Sequence, residues 1–373
     1  MDFSLPPATQ ELGAATYAFA KGLDLTADWR KLWQACADHG MLGLTMPARY
    51  GGAGYDCQTA IHILHEFGRG CPDNGLALGL SAQLWSMQMP ILSFGSEGQK
   101  NSLLPALIGG EILCAHGVTE AGSGSDAMGL QTSAIADGDA YILTGSKEWI
   151  GMAPACDLAF VFAKTNPDHG AWGISAFLID ADTVGLTRGS HKAKAGSDTL
   201  PFGTLTFKEC RIDKSTRLGP EGGGQSIFIA SLDWERRFIL ATHVGAMKRQ
   251  LEDCIAYGRD RQVFGAPIDA NQSVSNRLAD MRLRYETSLL MLQKAAWASD
   301  NGENDPTLAA LTKLHISESF LANSVDAART FAAKSMMLGA YVNTDLPDAV
   351  GSIIYGGTSD IQRQIIAKMQ RNS

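Results

Sequence analysis

The chain changes character at the segment Gly117-Val118-Thr119-Glu120-Ala121-Gly122-Ser123-Gly124-Ser125-Asp126. Before it, apolar residues recur with helical periodicity, and after it the sequence forms short runs rich in β-formers. The Gly-Ser-Gly-Ser-Asp part offers backbone N–H groups without side-chain hindrance and two small hydroxyls, which can surround the polar edge of a cofactor. An ordinary polar turn has the same composition, so this segment alone leaves both interpretations open.

The pattern on either side of this segment predicts the fold class. Before it, apolar residues at helical spacing are separated by glycine turns. After it, β-rich runs at 140–144, 158–163 and 205–207 stand between closely spaced turns, as in a small antiparallel barrel or sandwich. A helical stripe at steps of three and four then returns in the last part of the chain: Leu278, Met281, Tyr285, Leu289, Leu292 and Ala296.

We therefore expect an α+β multidomain protein. The predicted parts are an N-terminal α-helical domain at 1–112, a middle antiparallel β domain at 113–225 and a C-terminal four-helix bundle at 226–373. Each part is long enough to contribute to a sizeable hydrophobic core.

Bulk properties exclude several classes of function. The 373 residues carry a net charge of −8, which argues against a nucleic-acid partner or an anionic membrane surface. Seven scattered cysteines without a C-x-x-C pair favour neither a disulfide framework nor a zinc site, and we expect no metal. Because no signal peptide and no long apolar stretch is present, we expect a soluble, cytoplasmic protein.

A second motif stands near the C-terminus, Tyr355-Gly356-Gly357-Thr358-Ser359-Asp360-Ile361-Gln362-Arg363. Together with the first motif and four further pieces, at 43–52, 95–100, 145–150 and 261–265, it resembles the acyl-CoA dehydrogenase flavoproteins over nearly the whole chain. One such piece is weak evidence, whereas six in the same order are specific. The resemblance implies an oxidoreductase that acts on acyl thioesters with FAD as cofactor, assembled as a homo-oligomer, a tetramer built as a dimer of dimers.

The resemblance also implies which residues hold FAD. Thr119 and Ser125 are expected to bond the flavin ring and the pyrophosphate, and Trp149 to pack against the isoalloxazine. Arg261 and Phe264 are expected to meet the FAD of a neighbouring subunit, because a planar guanidinium suits phosphate oxygens. A solvated arginine at a helix end is the plain alternative. The full set of expected cofactor contacts is Val118, Thr119, Gly124, Ser125, Trp149, Ile150, Arg261, Phe264, Gln272, Thr358 and Asp360.

The second motif lacks the catalytic carboxylate of most of the family. Gly356 stands where those members carry a glutamate, so the residue that removes the substrate α-proton must come from elsewhere. In some members it comes from a helix in the C-terminal region, and Glu235 falls on that position in Leu232-Asp233-Trp234-Glu235-Arg236. A structural role is the alternative, since an acidic residue in the first turn of a helix favours the helix dipole.

We predict that Glu235 is the base and that the backbone N–H of Gly356 polarises the thioester oxygen together with a ribityl hydroxyl. The acyl group is expected on a carrier protein as an aminoacyl or acyl thioester, or on CoA, and either an electron-transfer flavoprotein or O2 is expected as electron acceptor. Two alternatives stay open: a flavoprotein that keeps the fold without dehydrogenase activity, and flavin-dependent elimination or oxygenation of a thioester.

Overall fold

The computed structural model describes residues 4–337 and 341–372. Its first part is helical, as the glycine-punctuated pattern predicts. Side-chain caps explain several helix starts: Asp28, Asp56 and Asp73 accept bonds from the first turns of α2, α3 and α4, and Ser96 forms a capping box with Gln99 at α6. The helices are α1 Pro7–Lys21, α2 Trp29–Asp38, α3 Cys57–Gly70, α4 Asn74–Ala82, α5 Met89–Phe94 and α6 Glu97–Ile108. A π-helical turn, Gln83–Gln88, joins α4 to α5.

The middle part is an eight-stranded sheet with the order β6-β7-β3-β2-β4-β5-β8, in which β1 pairs with β4. Its strands are β1 Cys114–Gly117, β2 Ser133–Asp137, β3 Ala140–Gly151, β4 Leu158–Lys164, β5 Ile174–Asp180, β6 Leu186–Arg188, β7 Phe202–Asp213 and β8 Arg217–Leu218. The β-rich middle part is thus confirmed, with one difference. The sheet is mixed, because the chain returns through the β2–β3 hairpin and lays β4 parallel to β1.

A local irregularity in the sheet shapes the surface beside the first motif. The long pair β3–β7 shifts register between Lys147 and Ile150. At this bulge Trp149 takes a left-handed backbone conformation with φ 61°. A bulky aromatic residue rarely adopts this conformation, and residues held in it concentrate at functional sites.

The last part is helical again, and α10 packs against α7, α8, α9, α11 and α12. The predicted stripe on α9 is confirmed, since Met281, Tyr285, Leu292 and Ala296 are buried. The helices are α7 Gly224–Phe238, α8 Ala241–Asp260, α9 Gln272–Asp300, α10 Pro306–Phe331, α11 Tyr341–Ser352 and α12 Ser359–Asn372. A small hairpin separates α8 from α9, with strands β9 Gln262–Val263 and β10 Ala266–Pro267.

These parts match the predicted order of a helical, a β-rich and a helical region. We keep 1–112, 113–225 and 226–373 as a proposed division into domains; α7 begins at Gly224, two residues before the last boundary. Within residues 4–337 and 341–372, none of the helices has the length and apolar character that crossing a membrane requires.

The three parts meet at a buried polar junction. The amide of Asn74, at the start of α4, donates to Asp345 at 2.7 Å and to Asp348 at 2.8 Å, both on α11. Asp348 also accepts from the Ser197 N–H of the middle part. Because a buried carboxylate needs such partners, these contacts tie the N-terminal, middle and C-terminal parts into one body.

Candidate active site

Glu235 lies in the interior, on the last turns of α7. Only 9% of the residue is exposed, and its Oε2 accepts a hydrogen bond from the Ser86 hydroxyl at 2.9 Å. The first-turn interpretation of this residue is wrong, because α7 begins eleven residues earlier, at Gly224. Near a helix C-terminus the dipole disfavours a negative charge, so the helix itself gives this carboxylate no structural purpose.

Gly356 faces the same carboxylate. Its backbone is left-handed, with φ 66°, and a Cβ built on it would lie 3.0 Å from Oε1 of Glu235. That separation is shorter than ordinary van der Waals contact, so a side chain at 356 and the present Glu235 conformation compete for one space. The carboxylate of Glu235 therefore lies directly beside the position where a side chain at 356 would begin.

The turn that carries Gly356 is fixed by side chains from two helices. The amide of Gln362 donates to the carbonyl oxygens of Gly356 at 3.1 Å and Gly357 at 2.9 Å. From α10, the Lys313 ammonium donates to the Gly357 carbonyl at 2.9 Å. Among the residues that the structure describes, none accepts a hydrogen bond from the Gly356 N–H, so this donor is available to a ligand.

Burial sets the electrostatics of the carboxylate. It raises the pKa of Glu235, while the Ser86 hydrogen bond and the charges of Arg236 and Lys313 act in the opposite direction. Burial likewise lowers the pKa of Lys313 to about 8, against the opposing effect of Glu235. A carboxyl whose pKa is raised by burial, yet which nearby cations keep ionisable, has the properties of a general base.

Aromatic side chains pack behind Glu235. Trp85 stacks on Trp234 with ring centroids 5.9 Å apart, and it meets Phe238 at 4.7 Å. These rings join the π-helical turn to α7, and Trp85 and Phe238 are fully buried. Of the two carboxylate oxygens of Glu235, Oε2 accepts from Ser86 and Oε1 faces Gly356.

The first motif forms an exposed loop beside the edge of the sheet. Gly124 and Ser125 are exposed, and a Cβ added at Gly124 would meet no atom within 4 Å. Thr119 accepts a backbone bond from Glu148 at 2.8 Å, which places the loop next to Trp149. The Trp149 ring is 58% exposed, and the Lys192 ammonium lies 4.7 Å from its centroid.

A buried ion pair supports this loop from below. The Lys147 ammonium is fully buried and donates to Glu120 at 2.8 Å and to the Val118 carbonyl at 3.1 Å. Glu120 in turn accepts from the backbone and hydroxyl of Thr132. Since a buried ion pair holds its geometry only when its remaining groups are satisfied, these bonds fix Val118 relative to β3.

Other predicted cofactor residues lie elsewhere. Arg261, Phe264 and Gln272 are exposed at the β9–β10 hairpin and the start of α9. Phe264 is completely exposed, with φ 50°. The hairpin follows the C-terminal end of α8, whose 20 residues span about 30 Å from the end nearest Glu235. Within one chain, these three residues therefore do not share a site with Glu235.

The remaining positions lie closer to Gly356 or within the sheet. The Thr358 hydroxyl accepts from the Ile361 N–H at 3.2 Å, at the start of α12, and Asp360 is exposed beside Arg363. The Ile150 side chain is buried, so only its backbone can face a ligand.

The helical path of α4 and the π-helical turn connects the end of β3 to the carboxylate. A Cβ at Gly79 of α4 would touch Met152, which follows β3, at 3.2 Å. Ser86 lies seven residues further along the same helical path, roughly 10 Å along its axis. The bulge at Trp149 and the Glu235 carboxylate thus border one region of the molecule.

Two residues beside Glu235 were not predicted from the sequence. Ser86 stands in the run Trp85-Ser86-Met87-Gln88-Met89, which looks like core, and the π-helical turn that points it at Glu235 has no sequence signal. Lys313 looks like a surface lysine on an amphipathic helix. Only the burial of its side chain shows otherwise.

The residues present fit FAD. An exposed aromatic face at Trp149 suits a flat ring system, and the adjoining Thr119 and Ser125 add hydroxyls to an unhindered glycine loop. Packing of the core does not explain the left-handed backbone of Trp149, because the ring points outward. Such a conformation is typical of a residue held for ligand contact.

Three family models match the chain. They are described as the N-terminal, middle and C-terminal domains of acyl-CoA dehydrogenase, and they match residues 11–111, 115–210 and 222–370. Together they span most of the sequence, in the order in which the structure shows helical, β-rich and helical parts.

Individual relatives agree. The chain is 38% identical to an L-prolyl-(peptidyl-carrier protein) dehydrogenase of Pseudomonas fluorescens over 90% of this chain and 89% of the relative. It matches the crystal structure of the prolyl acyl carrier protein oxidase AnaB with a TM-score of 0.96 and 36% identity, covering 98% of this chain and 100% of that one. The structure of PigA with FAD and proline matches with a TM-score of 0.95 and 35% identity, covering 99% of each chain. The chain therefore belongs to the acyl-CoA dehydrogenase family, and it is an FAD-dependent oxidoreductase acting on CH–CH bonds.

Proposed function

We propose that the protein dehydrogenates a prolyl or related aminoacyl group that is carried as a thioester on a carrier protein. The relatives named above that act on carrier-bound prolyl groups support this substrate class, because the match covers nine tenths of both chains. A CoA thioester is the competing substrate. The observation that carries the proposed reaction is the buried Glu235 carboxylate, whose Oε1 lies 3.0 Å from the position where a side chain at 356 would begin.

In this proposal, Glu235 removes the α-proton of the thioester. Burial raises the pKa of its carboxyl, so the carboxylate is a stronger base than one in water, while Lys313 and Arg236 keep the ionised form accessible. The Gly356 N–H donates to the thioester oxygen as negative charge develops there, which lowers the cost of losing the α-proton. FAD, when bound, supplies the acceptor for the β-hydrogen as hydride.

The chain's own residues prepare this step. Gln362 and Lys313 fix both carbonyl groups of the Gly356–Gly357 turn, so the N–H needs no reorganisation when the substrate arrives. The aromatic side chains behind Glu235 exclude water, which strengthens every electrostatic interaction in the site.

We assign the cofactor contacts to three surfaces. Val118, Thr119, Gly124, Ser125 and Trp149 would hold the flavin end, with the backbone at Ile150 alongside. Thr358 and Asp360 would contact FAD near the Gly356 turn. Arg261, Phe264 and Gln272 would reach the FAD of a neighbouring subunit, since they lie about 30 Å along α8 from the catalytic end of the bundle.

This assignment requires a homo-oligomer, and we propose a tetramer. Besides Phe264, large apolar side chains are exposed on α9 and α10, as expected for helices that contact other subunits. They are Leu283, Leu290 and Leu311. Analytical ultracentrifugation of the FAD-loaded protein would contradict the proposal if it found only monomers.

For reoxidation we propose either O2 or an electron-transfer flavoprotein, and peroxide release distinguishes the two. With O2 as acceptor, one peroxide forms for each thioester oxidised. With a flavoprotein acceptor, turnover in air stays slow until that protein or a one-electron dye is added.

Replacement of Glu235 tests the proposed reaction. We expect Glu235→Gln to bind FAD but to lose about 10³-fold or more in the rate of flavin bleaching under anaerobic conditions, because the general base is gone. The substrates are prolyl thioesters of a phosphopantetheinylated carrier protein and of CoA. A rate on the carrier that exceeds the rate on CoA supports the carrier as substrate, and the reverse order assigns the protein to CoA thioesters.

A matched carboxylate provides the control. Glu252→Gln, on α8, removes a half-exposed carboxylate paired with Arg69 and is expected to bleach at the unaltered rate. If Glu235→Gln also bleaches at that rate, the proton leaves by another route, and elimination, oxygenation or a role without dehydrogenation becomes the better reading.

A further inference from the structure

The π-helical turn Gln83–Gln88 interrupts the helical path between α4 and α5 beside Glu235. Single π-helical turns of this kind occur often at functional sites, since they re-aim side chains that a regular helix would direct elsewhere. This turn carries three polar side chains, Gln83, Ser86 and Gln88, and all three are buried. Burying a polar side chain is costly unless it is bonded, so each one calls for an explanation.

The two glutamines anchor the turn to neighbouring loops. The Gln83 amide donates to the Ile112 carbonyl at 3.0 Å and accepts from the Cys114 N–H at 3.2 Å. The Gln88 amide donates to the Leu42 carbonyl at 3.1 Å. These bonds fix both ends of the turn to the N-terminal part and to the start of the sheet, and they leave Ser86 in the middle.

Ser86 makes two contacts with α7, one through its side chain and one through its backbone. Its hydroxyl donates to Oε2 of Glu235 at 2.9 Å, and its carbonyl accepts from the Ser231 hydroxyl at 2.8 Å. Residues 231 and 235 stand one helical turn apart on the same face of α7. The turn and the helix are therefore held in register at the carboxylate.

The two oxygens of Glu235 consequently have different surroundings. Oε2 is engaged by Ser86, whereas Oε1 is the atom that faces Gly356. We propose that Ser86 is a positioning residue, which holds Oε2 so that Oε1 is presented to the substrate α-proton. This inference rests on the proposed role of Glu235 as base and extends it to the residue that orients the base.

Loss of the Ser86 hydroxyl has two consequences. The carboxylate loses the bond that fixes its rotation, so fewer conformations present an oxygen to the substrate. It also loses the hydrogen bond to its ionised form, and the pKa of Glu235 rises further. Both effects act on proton removal, while binding of FAD involves neither.

The test measures proton removal apart from oxidation. An acetyl thioester of pantetheine has α-protons but no β-carbon, so the FAD-loaded protein can only exchange its α-protons with D2O, which mass spectrometry detects. We expect Ser86→Ala to slow this exchange about 10-fold and to move the acid limb of its pH profile upward by about one unit, the effect of one charge-assisted hydrogen bond. The sign is fixed because the base must be ionised, so a higher pKa shifts the loss of rate to higher pH.

Two further variants separate positioning from a general loss of structure. Ser231→Ala removes a buried hydroxyl that touches Ser86 but not the carboxylate, and its pH profile is expected to match that of the unaltered protein. Ser86→Thr keeps a hydroxyl donor and is expected to keep the acid limb in place, even if the added methyl lowers the overall rate.

The outcomes separate this inference from the proposed function. If Glu235→Gln abolishes exchange while Ser86→Ala leaves the pH profile unmoved, Ser86 is not a positioning residue and the role of Glu235 stands. If Glu235→Gln exchanges at the unaltered rate, the base itself is misassigned. An equal shift in Ser86→Ala and Ser231→Ala contradicts the inference as well, because packing of the turn then accounts for it.

Discussion

The two halves of the site differ in how they are built. Around Glu235 the partners are the buried side chains of Ser86 and Lys313 and the half-buried Gly356 turn. On the surfaces proposed to hold FAD, Trp149 and, for the FAD of a neighbouring subunit, Phe264 are exposed, and each has a left-handed backbone. The chain thus encloses the proposed base, whose charge is tuned by low dielectric, and it leaves open the surfaces that we propose for the large ligand.

Moving the carboxylate from position 235 to position 356 is expected to have the largest effect. Glu235→Ala is expected to lose about 10³-fold or more in thioester oxidation, and Glu235→Ala with Gly356→Glu is expected to recover at least about 10-fold of it. Recovery stays partial because glutamate at φ 66° costs roughly 1–2 kcal/mol of backbone strain. Anaerobic bleaching of the flavin measures all variants.

Gly356→Glu alone is the control for that exchange. It brings a second carboxylate against Glu235, and its Cβ would begin 3.0 Å from Oε1, so we expect low activity and a lower melting temperature. A fully active single variant would show that positions 235 and 356 do not share one space.

Lys313 tests whether charge within the enclosed half matters. Lys313→Met removes a buried cation that favours the ionised form of Glu235 and also releases the Gly357 carbonyl. We expect kcat/KM to fall about 10- to 100-fold and its acid limb to move to higher pH, since the pKa of Glu235 rises when the cation is lost. Lys294→Met, at an exposed position, is the matched control. If the acid limb stays in place in both variants, Lys313 does not influence the pKa of Glu235.

Prediction from the sequence succeeded where a pattern had a strong physical cause. The buried strand β4 follows from its uninterrupted apolar run and the stripe on α9 from helical periodicity, and the glycine at 356 pointed to Glu235. The assignment of Glu235 to the first turn of its helix was wrong. The glycines before α7 do not indicate where the helix begins, and helix boundaries are weakly encoded in sequence.

Other features depend on contacts between distant segments. Ser86 is separated from Glu235 by 149 positions, and the π-helical turn that aims it leaves no periodic signal. The left-handed backbone of Trp149 coincides with a register shift between β3 and β7, and the neighbouring residues in the sequence do not indicate this shift. Tertiary pairing fixes these details, so a reading of local patterns does not reach them.

Replacement of Arg261 tests the proposed cofactor surface. Arg261→Ala is expected to raise the Kd for FAD about 10-fold, the effect of one charged hydrogen-bonding group, while kcat at saturating FAD changes little. Fluorescence titration of the apoprotein measures the affinity, and Gln262→Ala on the same hairpin is the control. A lowered kcat with unaltered FAD affinity would contradict the assignment of Arg261 to the cofactor.

A pair of glycines gives the smallest and most direct contrast. Gly124 lies on the exposed loop and has no atom within 4 Å of an added Cβ, whereas Gly356 has Glu235 Oε1 at 3.0 Å. Gly124→Ala is therefore expected to leave the free energy of unfolding of the apoprotein within about 0.5 kcal/mol, as for other exposed substitutions, and to weaken FAD binding only a few-fold. Gly356→Ala is expected to lower the rate of proton exchange without altering FAD affinity. Suppose instead that the two variants change proton exchange and FAD affinity to the same extent. One added methyl group would then act equally on the base and on the proposed cofactor surface, which would contradict the distinction between the two regions.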